Sequence, residues 1–576
     1  MKGKLGLVSL ILAGLLASCA PAPGQTRGTQ SEQPIQSQSR TLVVAHRHDP
    51  PTLAPKIAAS NTGSTTRLFS AALTLIDAQG APQPYLAAAV PQLNSDAWRV
   101  FPDGRMETTY RLRDGLTWQD GAPLVAEDFA FALRVYKDPG LAVFLRTPQN
   151  DIDSLTAPDP RTIVIQWRSP NAGAGTLTLG DLDPLPAHVL EGPYSDYKEG
   201  RSSEERFLGD PFWTSDFVGA GPYRLERWER GVQLEAAAFN GHALGRPKID
   251  RLVIRIATDE NTLLAAVLAG GQVDYTTSAT LRFEHLLVLK REWESAGRGT
   301  AVAVPGPAIF LNLQQKPEYV GDPALLDLRV RRALAHTLDR GALNEGVFDG
   351  FGIPTETIVP RTVPFYAEHE RLMTRYPLDA NRARQLMTEA GFTRDTEGFF
   401  VNAQARRVRV DFASQRSPEI ERMAAIQSDI WRRDGFDVHY TAVNPELFAR
   451  LEVRHTLPGL GYSQGPSEAA FTAAELGTEA NRWSGLNRTG WTHPEYERLW
   501  AAANATLDPV QRGANVAQMM ALITEHLPGY PLYFVLSTRT RVAGLQGPID
   551  EAEAAGFGGT SKETTAYWNV QDWTFR

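Results

Sequence analysis

The single cysteine, Cys19, sets the first limit on how this chain holds itself together. One thiol in 576 residues allows no internal disulfide, so the fold must rest on packing and hydrogen bonding. The position of Cys19 adds a second limit. It closes Leu16-Ala17-Ser18-Cys19, behind a basic head (Lys2, Lys4) and an apolar run over residues 5–15. A basic head, a short apolar core and small residues before a cleavage point read as a secretory leader over residues 1–18. The bland alternative is a small thiol buried in an ordinary leader core. On the first reading the chain works outside the cytoplasm, where disulfides are permitted, yet it has none to use.

The length exceeds what one hydrophobic core serves, so two or three domains are expected. Apolar content of 42% and charged content of 22% are those of a globular protein. The formal charge is −8, and loss of Lys2 and Lys4 with the leader makes it about −10. No block of lysine and arginine stands out, which argues against nucleic acid as a partner. After the leader, no apolar run reaches the roughly 20 residues needed to cross a bilayer. Residues 19–40 are rich in Gln, Ser and Pro and read as a disordered tether.

Order is expected to begin at 41–45, a short strand. Alternation predicts strands over 106–113 and 162–167. The turn-prone pairs Asp114-Gly115 and Asp120-Gly121 follow the first of these. Phe129, Leu133 and Tyr136 share one side of a helix over 126–136. Strand 252–256 followed by helix 260–268 continues an α/β alternation. Helices are further predicted over 328–338, 378–390, 419–433, 494–503 and 509–526. Strands are predicted over 223–228 and 436–440, and Gly391 is placed as a helix C-cap.

Few motifs carry chemistry. Gly461-Tyr462-Ser463-Gln464-Gly465 is a literal G-x-S-x-G, with His493 and His526 downstream. A nucleophile elbow needs a strong strand in front of it, and Leu457-Pro458-Gly459-Leu460 is a poor one. A Gly-rich loop is therefore the reading for 461–465. His46 and His48, with Asp49 beside them, make a thin metal site or simply loop residues. No H-E-x-x-H, cysteine cluster, P-loop or dinucleotide fingerprint is present, and Asp151, Asp153 and Asp159 lack the spacing of a calcium loop. No enzyme, metal or cofactor is predicted. Trp483, Trp491 and Tyr496, with Asn481, Arg482 and Asn487 nearby, suit either a ligand cleft or core packing.

Taken in order, a series of segments resembles the large solute-binding proteins of bacterial ABC importers for peptides, nickel and related solutes (extracellular solute-binding protein family 5). They are Tyr85-Leu86-Ala87, then Tyr110 to Trp118 with Asp120-Gly121, then Leu124 to Phe129. Leu185-Pro186-Ala187-His188, Val218 to Tyr223, Leu311-Asn312 and Arg329 to Ala335 with Asp339-Arg340 continue the series, over about residues 41–540. Leu16 to Cys19 likewise resembles the lipobox of bacterial lipoproteins, which implies that Cys19 carries lipid. The resemblance implies an α/β, periplasmic-binding-protein-like fold of class II (cluster C) type, with two hinged lobes and a small extra domain. Lobe I is expected over 41–88, 209–304 and 530–576, the small domain over 89–208 and lobe II over 305–529. The implied partners are a small solute or short peptide, a permease with its ATPase, and membrane lipid through Cys19, for a monomer on the outer side of the cell membrane. The ligand-binding residues expected are Asn312, Tyr462, Ser463, Gln464, Asn481, Trp483 and Trp491. Peptide-binding relatives receive the ligand's amino terminus on an aspartate near the position of 461–466, and this chain has none there. A buried ammonium without a charge partner is costly, so a capped peptide, a sugar or another solute comes into view. A surface lipoprotein for sensing or peptide chaperoning is the alternative of a different class.

Overall fold

The computed structural model describes residues 40–56, 63–77, 81–141, 148–548 and 566–576. The leader, Cys19 and all of the tether except Arg40 lie outside the described residues.

Among the described residues, eleven strands make the main sheet. In chain order they are β1 (Thr41–His46), β2 (Tyr223–Glu229), β3 (Gln233–Ala238), β4 (Arg251–Ile256), β5 (Tyr275–Arg282) and β6 (Gly299–Leu313). They continue with β7 (Ile353–Pro354), β8 (Arg409–Gln415), β9 (Asp437–Val443), β10 (Leu460–Gln464) and β11 (Gly529–Val542). Their spatial order is β9-β8-β10-β6-β11-β5-β1-β4-β3-β2, with β7 added to β11. Pairings β1/β4, β1/β5, β8/β9 and β8/β10 are parallel, whereas β6/β11 is antiparallel. This is the mixed sheet of an α/β protein with two lobes.

The pairing of β6 with β11 is interrupted midway. At about 3.3 Å per residue, the 15 residues of β6 span roughly 50 Å, long enough to run from one lobe into the other. Gly299 to Pro305 pair with Val542 to Leu536, and the register then shifts twice before Phe310 meets Pro531. The first shift falls at Pro305-Gly306-Pro307 and the second between Ala308 and Phe310. Each proline lacks the N–H that a ladder needs, so the pairing is interrupted and the strand can bend there.

The elements follow the residue patterns closely. Helices Ala126–Tyr136 and Pro509–His526 and strand Thr162–Trp167 fall where periodicity puts them. Strand Met106–Arg111 belongs to a separate four-stranded sheet with Trp98–Val100, Ile152–Asp159 and Thr162–Trp167. Many of the motif residues prove to be framework. Tyr110 donates to the carbonyl of Ala174 at 2.6 Å, and the indole of Trp118 donates to Asp128 at 3.1 Å. A Cβ at Gly219 or Gly221 would sit 2.0 Å or 2.4 Å from the backbone of Phe69, so only glycine permits that approach. Trp118, Trp167 and Trp213 are buried in the same core, each removing roughly 150–250 Å² from water, about 4–6 kcal/mol in gross burial terms.

One expectation is corrected. Residues 460–464 form an interior strand, β10, between β8 and β6, not a glycine-rich loop. Gly461 is a cost that the neighbours offset. Leu457 packs over it, since a Cβ there would stand 2.8 Å from Leu457 Cδ1, and both flanking strands hydrogen-bond β10.

Candidate functional site

The strand ends converge on the joint. β5 ends at Arg282, which shares Ser537 with Val304, and β10 ends at Gln464 opposite Ile309, so these two flank Pro305–Pro307, with β1 ending at His46 and β8 at Gln415 on the neighbouring strands. The helix Pro418–Arg433 begins there as well. In open α/β sheets, ligands collect where carboxyl ends of strands meet.

Across this seam runs an ion cluster. Glu260 Oε1 accepts from Arg282 Nε at 2.8 Å and lies 2.7 Å from Arg47 Nη1. Arg282 then reaches over to donate to Ser417 Oγ at 3.2 Å. Burial raises the carboxyl of Glu419 against the pull of Arg282. Tyr462, half-buried beside it, has its phenol pushed up by burial first and by Glu419 second. The charges here are largely answered by one another.

A second cluster is not answered. The segment around Arg488 is locked by its neighbours. Asn487 is buried and donates to the carbonyls of Thr472 and Trp491, and its Oδ1 accepts from Thr489 and Gly490. The Thr489 carbonyl accepts from Gln315 N–H at 2.8 Å. Gln314 in turn holds the other wall, donating to the carbonyls of His455 and Leu457. These bonds fix the segments carrying Arg488, His455 and Lys316, of which His455 and Lys316 lie against Trp483, while Arg488 acts on His455 and Arg454 on Arg488. Lys316 Nζ lies 5.5 Å from the Trp483 ring centre and 5.8 Å from that of Tyr319. His455 lies 5.9 Å from Trp483.

Among the described residues, none of Lys316, Arg454 and Arg488 is in an ion pair, and the Arg488 guanidinium has no hydrogen-bond partner. Burial lowers the pKa of Arg488 to about 10, and Arg454 adds to it. Lys316 and Arg454 are lowered by burial too. His455 is lowered to about 4, first by burial and then by Lys316 and Arg488, which leaves it neutral. Its Nε2 donates to the Gly485 carbonyl, and Nδ1 is buried without a partner. Cations with an aromatic wall and no carboxylate paired to them, Glu318 acting only on Lys316, suit an anionic group on a ligand with an apolar body.

The residues predicted from sequence fall in three places. Tyr462, Ser463 and Gln464 lie on β10, and Asn312 lies opposite Gly461 on β6. Trp483 lies in the cationic cluster at positive φ, with Asn481 two residues away and exposed. Asn481 Nδ2 donates to the Leu476 carbonyl and its Oδ1 accepts from Thr478 N–H. Trp491 is buried apart from them, against Phe471, Tyr496 and His493. Cys19 lies outside the described residues. Sequence reasoning missed Lys316, Arg454, His455 and Arg488, although Arg454-His455 is a basic pair at a helix end.

The hydrolase geometry is not assembled. Ser463 Oγ donates to the Phe310 carbonyl at 3.2 Å, while His493 stacks on Trp491 and His526 lies tilted to the same ring at 6.0 Å. His46 is buried with both ring nitrogens engaged, one by Tyr567 and one by Thr65, each at 3.0 Å. Among the described residues, no group of three or more His, Cys, Asp or Glu is placed to hold a metal ion. No described helix is long and apolar enough to cross a membrane.

Comparison with known proteins agrees with this architecture. Residues 88–470 match the family described as bacterial extracellular solute-binding proteins, family 5 Middle. Protein XP55 of Streptomyces lividans is 25% identical over 536 residues, covering 91% of this chain and 90% of that one. The oligopeptide binding protein of Thermus thermophilus, complexed with a pentapeptide, superposes with a TM-score of 0.75 at 22% identity, over 93% of this chain and 96% of that one. NikZ of Campylobacter jejuni, in complex with Ni(L-His), gives 0.73 at 18% identity, over 93% and 100%. With the hinged sheet, the framework motifs and the matched span in agreement, this chain belongs to the bacterial extracellular solute-binding proteins, family 5.

Proposed function

We propose that this protein captures a peptide-like solute through a free carboxylate, held by Arg488, Arg454 and Lys316 with Trp483 against its apolar part. The protein is the binding component of an ABC importer, handing its solute to a membrane permease, and it is not a catalyst. The carrying observation is the set of three half-buried or buried cations, none of them in an ion pair among the described residues, with Glu318 acting from a distance on Lys316 alone. A bound carboxylate supplies the missing charge. In the seam, by contrast, Glu260 is already shared by two arginines, which disfavours it as a seat for a ligand's ammonium. An N-terminally blocked or otherwise peptide-like acid fits better than a simple zwitterion.

Closure follows from the same physics. A ligand that touches both lobes binds the closed form better and shifts the population toward it. Tyr462, Ser463, Gln464 and Asn312 are proposed as the hinge-side lining of that cleft, and Trp483 and Asn481 as its far rim. The lobe assignment 41–88, 209–304 and 530–576 against 305–529, with 89–208 as the small domain, is retained as part of the proposal. So are a lipid anchor at Cys19 and a monomeric state.

Native mass spectrometry of protein purified from its own host, followed by release of the bound solute, tests the reading. Recovery of a stoichiometric acid with a peptide-like body supports it. Recovery of a neutral sugar, or of a nickel chelate of the kind NikZ holds, would overturn it.

A further inference from the structure

Behind the hinge, on the β7 side of β11, lies a cavity of about 300 Å³. None of the cationic residues of the proposed cleft lines it. Its floor is apolar, made by Val359, Met373 and Phe534, and Pro305 of the hinge forms part of its edge. Its size is at the lower end of the roughly 300–1,000 Å³ typical of small-molecule pockets.

The charges around it are unequal. Glu356 and Glu370 both lie against Arg375, at 2.9 Å and 3.1 Å, and are answered. Arg340 is not. Its Nε donates to the carbonyls of Thr355 at 2.8 Å and Pro531 at 3.1 Å, which fixes the guanidinium at the cavity wall. Its two terminal nitrogens have no partner among the described residues, and it forms no ion pair. Burial lowers its pKa to about 10, against the opposing pull of Glu356. Arg361, exposed at the mouth, is likewise in no ion pair among the described residues. An apolar floor below one fixed and one exposed arginine selects a small anion with a hydrophobic body.

We infer that this cavity is a second ligand site, separate from the solute cleft, that takes a small apolar carboxylate with its acid on Arg340 and Arg361. It goes beyond the transport reading and does not require it. Because Pro305 and Phe534 belong to the strands that cross between lobes, an occupant touches the hinge itself.

Isothermal titration of the full chain with phenylacetate, and with its neutral isostere phenylacetamide, tests the inference. The acid is expected to bind saturably, one per chain, and at least about tenfold tighter than the amide. Arg340→Gln should weaken the acid by about tenfold, and Arg361→Glu, an exposed change that leaves the framework intact, by about threefold or more. Arg488→Gln should leave it unchanged. Equal binding of acid and amide, no saturable binding, or retention in both cavity variants would overturn the site. So would loss on Arg488→Gln alone, because the probe would then sit in the cleft. Peptide binding by the cavity variants reports separately on the transport reading.

Discussion

Two groups of arginines in this molecule face opposite circumstances. At the seam, Arg47 and Arg282 share Glu260, and Arg282 also holds Ser417 on the facing element. In the other group, Lys316 donates to the Gly477 carbonyl and lies over the Trp483 and Tyr319 rings, Arg454 donates to the Phe448 carbonyl, and the Arg488 guanidinium has no hydrogen-bond partner among the described residues. Paired charges at a joint hold parts of the fold in place. Unpaired, half-buried charges are costly to keep, and a ligand that neutralises them is the physical reason to keep them. The comparison separates residues that build the protein from residues that wait for something.

Breaking each group should therefore give opposite phenotypes. The largest expected effect is on binding. Arg488→Gln should cost roughly 10- to 100-fold in affinity for an acidic solute, read by calorimetry. Its stability should not fall, and should rise by up to about 1 kcal/mol in urea titration, because an unpaired buried charge has gone. Glu260→Gln inverts the pattern. Two arginines lose their shared carboxylate, and stability should drop by about 2–3 kcal/mol while the ligand's carboxylate contacts persist. If both variants lost stability equally, the distinction between the groups would fail.

A change at the joint is expected to be smaller. Gly465 has φ of +59°, and a Cβ would stand 2.7 Å from Pro307. Gly465→Ala should cost about 1–2 kcal/mol, measured by urea unfolding, and should not alter the preference for acids.

Acid sensitivity gives the mildest and most distributed effect. Burial is the first cause that lowers six histidines, His48 and His526 among them, and it takes His46, His369 and His455 to about 4 and His242 to about 3. Each folded-state value lies below the unfolded one near 6.5, so between the two the unfolded chain binds the extra proton. Their contribution is complete above about pH 6.5 and is lost as pH falls toward 4. Asp183, pushed up to about 7 by burial, acts in the opposite sense, favouring the folded chain as pH falls from 7 toward 4. Urea midpoints between pH 7 and pH 4.5 should fall with a net uptake of up to about three protons on unfolding. A flat profile would contradict the neutral, buried assignment of these rings.

Much of the scaffold was legible in the sequence because it depends on local signals. Phe129, Leu133 and Tyr136 gave one helix face, Asp120-Gly121 gave a turn, and Pro509 with His526 bounded a helix that the structure reproduces. β10 was not legible. Its sequence is weak as a strand, and only its two neighbours, distant in the chain, make it one. The site was harder still. Aromatic residues drew attention to Trp483 and Trp491 alike, but packing separates them, placing one beside Lys316 and the other within the core. Arg488 carries no local signal at all. What distinguishes it is the absence of an acid in three dimensions, and a one-dimensional reading does not register that.

The central claim is that a ligand carboxylate completes the cluster around Arg488. The most direct test is titration of wild type and Arg488→Gln with one N-acetylated peptide, as the free acid and as the C-terminal amide. Wild type should prefer the acid by at least about tenfold, and the variant should lose the preference. Equal affinity of wild type for acid and amide, or a preference that survives in Arg488→Gln, would contradict it.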